Sequence, residues 1–251
     1  MNLLAAIQVT AGLSASLFRN AFPIYAMLYD CYKRVSERGE IALIRRLVRR
    51  GDHVVDVGAN IGFYTELLAQ CVGPEGRVDA FEPDEMNFRR LSTRAKPYSQ
   101  IRPVRAAVTE RSGTVSLHLS PQLNVDHRTY PTDEARSTVT VDAVALDDIY
   151  RGEGEQLQFI KLDIQGAEYA ALLGMRQVVS RSPSVHLLME VWPSVLDRFG
   201  VGTPALLSLL ASWGLEMRVV GADGGLGEHL TADTLARRGE GGAYFSVLCY
   251  R

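Results

Sequence analysis

The segment that most constrains the fold of this 251-residue chain is residues 56–62, which read Asp-Val-Gly-Ala-Asn-Ile-Gly. A short valine-rich run at 53–57 leads into it, and apolar residues with helical spacing follow at 64–72. Glycine allows a sharp turn and lets the backbone come close to a ligand. Because ligands bind at the carboxyl ends of strands in doubly wound α/β sheets, this unit predicts a binding site above the first strand.

Strand-like and helical patterns alternate along the chain, which predicts a parallel sheet with helices on both faces. The expected strands are 53–57, 77–81, 101–108, 158–164, 185–191, 216–220 and 244–250, and the expected helices include 64–72, 84–95, 167–179 and 203–213. Thr203 is expected to be the N-cap of the last of these helices. Two runs of alternating polarity, 114–120 and 137–144, predict antiparallel strands in a β-rich insertion. The prediction is an α/β, Rossmann-like fold with a mostly parallel seven-stranded sheet and an antiparallel C-terminal strand.

We divide the chain into an N-terminal helical extension (1–38) and one α/β domain (39–251) with an insertion at 109–156. The N-terminal helices are expected to pack on the domain or on a second subunit, as a homo-oligomer. Residues 1–17 are mostly apolar or small, but they lack a basic start and are too short to span a bilayer. We therefore expect no membrane-spanning segment there, and a membrane-surface role stays open as the alternative.

Composition narrows the possible partners and the compartment. The net charge is −2 and 22% of the residues are charged, so the basic excess typical of nucleic-acid binding is absent. Cys31, Cys71 and Cys249 are odd in number and far apart, so they do not form a disulfide framework. These features predict a protein of a reducing compartment, the cytoplasm, that acts on a small molecule and not on nucleic acid.

The glycine loop argues for a ligand without phosphate. Its spacing is G-x-x-x-G, whereas a dinucleotide-binding loop reads G-x-G-x-x-G. Asp56, two residues before Gly58, would repel a pyrophosphate but suits the ammonium and sulfonium of S-adenosylmethionine. Glu82 ends the next strand, 24 positions after Gly58 (82 − 58), where an acidic side chain accepts hydrogen bonds from ribose hydroxyls. Gly62 permits close packing as the following helix begins.

Four ordered blocks resemble the FkbM family of methyltransferases. They are DVGANIGFYT at 56–65, FEP at 81–83, KLDIQGAE at 161–168, with Gln165 in place of the family's usual Glu, and Met-Glu at 189–190. The resemblance implies a class I methyltransferase fold and O-methylation of a hydroxyl on a sugar or natural product. It also implies cofactor contacts at Asp56, Gly58, Asn60 and Glu82. No acidic residue follows the third strand, so adenine is expected to rest on backbone and apolar groups around Ala107.

Candidate catalytic residues follow from position. Asp163 ends the fourth parallel strand, near the transferred methyl, although it could instead cap the next helix. His127 is favoured as the base that accepts the hydroxyl proton, because histidine titrates near neutrality. Asn124, Asp126 and Arg128 surround it in a polar segment expected to bind substrate, and Glu190 is expected to line the same rim.

Three other assignments of the base stay open. Asp163 is itself the base, or a metal ion lowers the pKa of the hydroxyl, or His127 lies idle in a surface loop. No group of His, Cys and Asp has a recognisable metal-ligand spacing, so no metal site is predicted. Two rival functions also remain: an NAD-dependent oxidoreductase, and a non-catalytic cofactor-binding or membrane-associated scaffold.

Overall fold

A computed structural model describes residues 17, 18, 20–120, 127–129, 136–152, 154–198 and 201–251. Its strands are β1 (His53–Val57), β2 (Arg77–Phe81), β3 (Ile101–Val104), β4 (Ala107–Val108), β5 (Gly113–Leu119), β6 (Ser137–Val144), β7 (Phe159–Leu162), β8 (His186–Val191), β9 (Glu216–Val220), β10 (Leu226–His229) and β11 (Phe245–Tyr250). Its α-helices are α1 (Phe22–Ser36), α2 (Arg38–Leu47), α3 (Phe63–Val72), α4 (Glu85–Ala95), α5 (Leu146–Ile149), α6 (Glu168–Leu173), α7 (Arg176–Arg181), α8 (Pro193–Arg198), α9 (Gly202–Ser212) and α10 (Ala232–Arg238).

Within the described residues, the larger sheet has eight strands in the order β10–β9–β11–β8–β7–β1–β2–β3. The five strands from β8 to β3 are parallel, so their carboxyl ends meet at one edge. β11 lies antiparallel between β8 and β9. The sheet therefore has one strand more than the seven predicted, because the Gly-rich segment after β9 returns as the short edge strand β10.

Buried apolar residues hold helices against both faces of this sheet. On one face Val54, Phe159 and Leu188 pack with residues of α2 and α3. On the other face Val55 and Ile160 pack with residues of α6, α7 and α9. The valines of β1 thus face opposite sides of the sheet, which is why a continuous apolar run forms this central strand.

A three-stranded sheet, in the order β4–β6–β5, stands beside the main sheet. β5 and β6 are antiparallel, as predicted, and Ala107, Leu117 and Val141 form its small core. A single bridge between His118 and Arg128 attaches residues 127–129 to β5. This sheet forms one wall of the site described below.

Three predicted boundaries are wrong. The strand expected at 101–108 is split, because β3 pairs with β2 while β4 pairs with β6 in the second sheet. The helix expected at 167–179 is two short helices, α6 and α7, separated at Gly174, where a Cβ would lie 2.1 Å from the carbonyl oxygen of Thr109. Thr203 is not an N-cap, because α9 already begins at Gly202.

In the part of the chain that the structure describes, no helix is both long enough and apolar enough to cross a membrane.

Candidate active site

Two adjoining clefts open at the carboxyl ends of β1, β2 and β7. The first cleft, of about 540 Å³ including its mouth, extends from the end of β2 to the end of β7. The second cleft, of about 430 Å³, lies between the end of β1 and helix α1. Gly58, Asn60, Asp163 and Gln165 line both clefts, so a single elongated ligand is able to occupy the two together.

The loop after β1 comes unusually close to the loop after β7. The amide of Gly58 donates to the carbonyl oxygen of Phe81, at 3.0 Å, and its φ is +81°. A Cβ at this position would lie 2.0 Å from the carbonyl oxygen of Asp163. Only glycine fits here, because the backbone conformation and the close approach both exclude a side chain.

Glu82 is a buried carboxylate at the floor of the first cleft. Its Oε2 accepts from the amide of Asn60, at 2.8 Å, and its Oε1 accepts from the amide of Asp84, at 2.9 Å. Burial raises its pKa to about 8, although these two N–H groups act in the opposite direction. One side chain thus ties the glycine loop to the start of α4 and faces the cleft.

Apolar residues and one histidine complete the first cleft. Ala107, Val108 and Leu117 supply a wall from β4 and β5. The Nδ1 atom of His127 accepts from the amide of Ser120, at 3.1 Å, and its Nε2 lies 4.0 Å from a carboxylate oxygen of Asp84. His127 therefore lies on the Glu82 side of the cleft.

Asp163, just after β7, stands where the two clefts meet. Lys161 donates to its Oδ2 at 3.0 Å, and the amide group of Gln165 donates to its Oδ1 at 3.1 Å. Burial would raise the pKa of Asp163, but Lys161 and Lys33 outweigh it and lower the pKa to about 2. The carboxyl group is therefore ionised throughout the neutral range.

Glu168 stabilises the turn that carries Asp163. Its Oε1 accepts from the amides of Ile164 and Gly166, both at 3.1 Å, and the side chain is buried. Burial raises the pKa of Glu168 to about 7. Glu168 is thus a positioning residue that holds the turn and does not line either cleft.

Helix α1 supplies a wall of the second cleft through Tyr29 and Lys33. The Nζ atom of Lys33 lies 2.5 Å from Oε1 of Glu37 and 5.7 Å from the centre of the Tyr29 ring. Burial opposes its charge, but Tyr29, Glu37 and Asp163 raise the pKa of Lys33 well above its usual value. A positive charge from outside the α/β core is therefore fixed beside the cleft.

Behind this lysine, a buried polar network joins α1, α2, α3 and β7. The hydroxyl of Tyr64 donates to Glu37, at 2.5 Å, and lies 2.9 Å from Glu40. Lys161 lies 4.1 Å from the centre of the Tyr64 ring and 4.0 Å from a carboxylate oxygen of Glu40. This network fixes where α1 sits on the carboxyl edge of the sheet.

Glu190 lies near the end of β8, beside Asp163. Leu162 pairs with Met189, so Asp163 and Glu190 are the next positions across two parallel strands that run about 4.8 Å apart. Burial, and then the charge of Asp163, raises the pKa of Glu190 well above its usual value. Burial, and then the charge of Glu190, raises the pKa of Tyr244 to about 12.

The first cleft brings together six of the ten predicted site residues that the structure describes. Its lining includes Gly58, Asn60, Glu82, Ala107, His127 and Asp163. Four predicted residues lie elsewhere. Asp56 is buried beneath α3, where it accepts from Thr65 at 2.6 Å, and Gly62 is the N-cap of α3. The Arg128 guanidinium lies 5.9 Å from the Trp192 ring, and Glu190 stands beyond Asp163.

Two further predicted substrate contacts, Asn124 and Asp126, lie outside the described residues. Sequence reasoning also missed several lining residues, above all Tyr29, Lys33 and Tyr64. One signal for them existed: Tyr29 and Lys33 are four apart and share a helix face, and the chain has only three lysines. Among the described residues, no group of three or more His, Cys, Asp or Glu side chains is arranged to hold a metal ion.

The strand order of the main sheet and the arrangement of the site define the class of protein. A glycine loop after β1, a buried carboxylate after β2 and an antiparallel strand between β8 and β9 are the features of a class I methyltransferase. The family profile described as the methyltransferase FkbM domain matches residues 56–217. The chain belongs to the FkbM methyltransferase family. The predictions of the family, the fold class and a methyltransferase enzyme are confirmed.

Solved structures share this fold at low sequence identity. The methyltransferase FkbM from Methylobacillus flagellatus KT is 20% identical, with 80% of this chain and 44% of that chain covered and a TM-score of 0.49. This chain therefore spans less than half of that protein. A putative methyltransferase from Streptococcus mutans in complex with SAH is 9% identical, with 86% and 97% covered and a TM-score of 0.51. A putative rRNA-methylase from Clostridium thermocellum is 10% identical, with 86% and 94% covered and a TM-score of 0.51. No curated protein matches the chain.

Proposed function

We propose that this chain is an S-adenosylmethionine-dependent O-methyltransferase that methylates a hydroxyl of a sugar or a natural-product small molecule. The observation that carries the proposal is the pairing of the Gly58 loop with the buried carboxylate of Glu82 across one cleft. A nucleoside needs such a carboxylate for its ribose hydroxyls. The spacing G-x-x-x-G also departs from the dinucleotide loop.

The residues present fit the cofactor. The first cleft is large enough for a nucleoside, and its apolar wall at Ala107, Val108 and Leu117 suits a flat base. Glu82 would accept from the ribose hydroxyls, and Gly58 leaves room for a ligand against the backbone. When bound, the cofactor supplies a methyl group on a positively charged sulfur. Ionised Asp163, at the junction of the clefts, offers the negative potential that such a charge requires.

Two carboxylates, at the ends of β7 and β8, are the candidates for the base that acts on the acceptor hydroxyl in this proposal. Asp163 is a weak base, because its pKa is about 2. Burial and the charge of Asp163 raise the pKa of Glu190 well above its usual value, so its carboxylate is the stronger base of the two. We therefore assign Glu190 to take the hydroxyl proton as the oxygen gains the methyl group, and Asp163 to face the positively charged part of the cofactor.

His127 is the base favoured from the sequence, but in this proposal it has a different role. Its ring lies beside Asp84, on the Glu82 side of the first cleft. We assign it to the nucleoside, where it closes the cleft against water. Arg128, over Trp192, and Tyr244 lie on the acceptor side, near Glu190.

The test is transfer of isotopically labelled methyl from S-adenosylmethionine to a panel of hydroxylated sugars and polyketide-like alcohols. The proposal expects at least one acceptor to gain an ether-linked methyl group. Glu190→Gln should then lower kcat by about 10²–10⁴-fold, the usual contribution of a general base, while cofactor affinity stays unchanged. Glu75→Gln, an exposed control near the start of β2, should keep full activity. Methyl transfer to nitrogen or carbon alone would contradict O-methylation.

A further inference from the structure

Helix α1 lies outside the span matched by the family profile, yet it forms part of the second cleft. Tyr29 and Lys33 line this cleft together with Gly58, Asn60 and Asp163. Within the described residues, Lys33 and Lys161 are the two lysines at the carboxyl edge of the sheet. Lys161 is buried against Asp163, whereas Lys33 lines the cleft. The extension thus brings the cleft a positive charge that a ligand is able to reach.

The second cleft is therefore lined by charges of both signs. Asp163 is ionised, and Lys33 is protonated because its pKa is raised. A zwitterionic amino acid carries the complementary pair, an ammonium and a carboxylate on the same carbon. Because the two clefts share Gly58, Asn60 and Asp163, a nucleoside in the first cleft directs any amino-acid tail into the second.

We propose that Lys33 binds the α-carboxylate of the cofactor's amino-acid portion, while Asp163 faces its ammonium. This inference rests on the proposed function, and it assigns helix α1 to cofactor recognition. A carboxylate paired with an ammonium makes a charge-assisted hydrogen bond, which is stronger than a neutral one. The Tyr29 ring beside Lys33 shields this pair from water.

A purely structural role for Lys33 predicts a different relation between the Lys33 and Glu37 variants in their ligand affinity. In that case its ion pair with Glu37 would only hold α1 in place, and removing either partner would have the same effect. If Lys33 binds a carboxylate, Glu37 competes with the ligand for it. Glu37→Gln removes the charge but keeps a carbonyl oxygen that is able to accept from Tyr64, so it should then leave ligand affinity equal or improve it.

The experiment is calorimetric titration of two probes, S-adenosylhomocysteine and methylthioadenosine. Both contain adenosine and sulfur, but only the first carries the carboxylate and the ammonium. Lys33→Gln should raise the Kd for S-adenosylhomocysteine by about ten- to hundredfold and leave the Kd for methylthioadenosine within about twofold. Lys33→Arg should recover most of the affinity, since it restores the charge. Lys96→Gln, at an exposed lysine after α4, is the matched control and should bind both probes normally.

The outcomes separate clearly. Equal loss of both probes in Lys33→Gln, or equal weakening by Lys33→Gln and Glu37→Gln, would overturn the inference in favour of a structural role. Unchanged affinity for S-adenosylhomocysteine would also overturn it, and would point Lys33 to an acidic acceptor. If the unmodified protein binds neither probe, the proposed function itself fails. A melting temperature for each variant identifies misfolding, in which case Lys33→Arg alone decides the question.

Discussion

Replacing Glu82 by glutamine tests the nucleoside site sharply, because this side chain joins two loops and faces the cleft. Its two oxygens accept from the amides of Asn60 and Asp84. Glutamine keeps one oxygen but brings an NH₂ group against the second backbone N–H. The variant therefore loses the charge offered to a ribose and also misaligns one of the two loops.

The magnitude follows from the hydrogen bonds lost. A hydrogen bond to a charged group contributes about 1.5–3 kcal/mol, and about 1.4 kcal/mol corresponds to a tenfold change in Kd. Loss of one such bond from the ribose should raise the Kd for S-adenosylhomocysteine by about ten- to hundredfold. Glu85→Gln, three residues along and exposed, provides the control and should change nothing.

The same residue predicts a pH dependence. Burial raises the pKa of free Glu82 to about 8, and the ribose hydroxyls prefer the ionised carboxylate. Affinity should therefore be greatest above pH 8 and should fall as the pH drops below it, by at most about tenfold per unit for a single proton. Calorimetry between pH 6 and 9 measures this slope, which Glu82→Gln should abolish. A slope that persists in Glu82→Gln, or unchanged affinity in that variant, would refute the assignment.

Three further perturbations test other parts of the structure. Gly58→Ala should abolish S-adenosylhomocysteine binding in calorimetric titration, because the added Cβ would meet the carbonyl oxygen of Asp163. Gly51 has a similar φ of +85° but open space around it, so Gly51→Ala is the control and should bind normally. His127→Ala should raise the cofactor KM severalfold and leave kcat nearly unchanged; a large loss of kcat at saturating cofactor would restore His127 as the base. Asp79→Asn should lower the free energy of unfolding by about 3–5 kcal/mol in urea titrations, because the buried Asp79 carboxylate in β2 accepts from the Tyr150 hydroxyl and forms ion pairs with Arg77 and Arg102. The Asp79 contribution is present above the unfolded pKa near ~4 and is lost as the pH falls through its folded pKa of about 2, so unchanged acid stability in the variant would contradict it.

Local patterns in the sequence predicted the central strands well. β1, β2, β6 and β9 have the predicted bounds, because each is an apolar or alternating run closed by turn residues. The residues after the parallel strands β1, β2 and β7 then fell at one edge, since parallel strands share their carboxyl ends. Glu82, Gly58 and Asp163 were found for this reason.

Local sequence patterns could not predict the features that depend on contacts between distant segments. The break at Gly174 depends on a carbonyl of Thr109, and the split of 101–108 depends on pairing with β6. Lys33 reaches the cleft only because α1 folds over the end of β7, about 130 residues away in the chain (163 − 33). The division at residue 38, the acceptor and the oligomeric state stay predictions.

The measurement that tests the central claim most directly is a pair of titrations of the unmodified protein, one with S-adenosylhomocysteine and one with NAD. The buried carboxylate of Glu82 predicts saturable binding of one S-adenosylhomocysteine per chain, and the G-x-x-x-G loop, which lacks the dinucleotide spacing, predicts no binding of NAD. Binding of NAD without binding of S-adenosylhomocysteine would contradict the account.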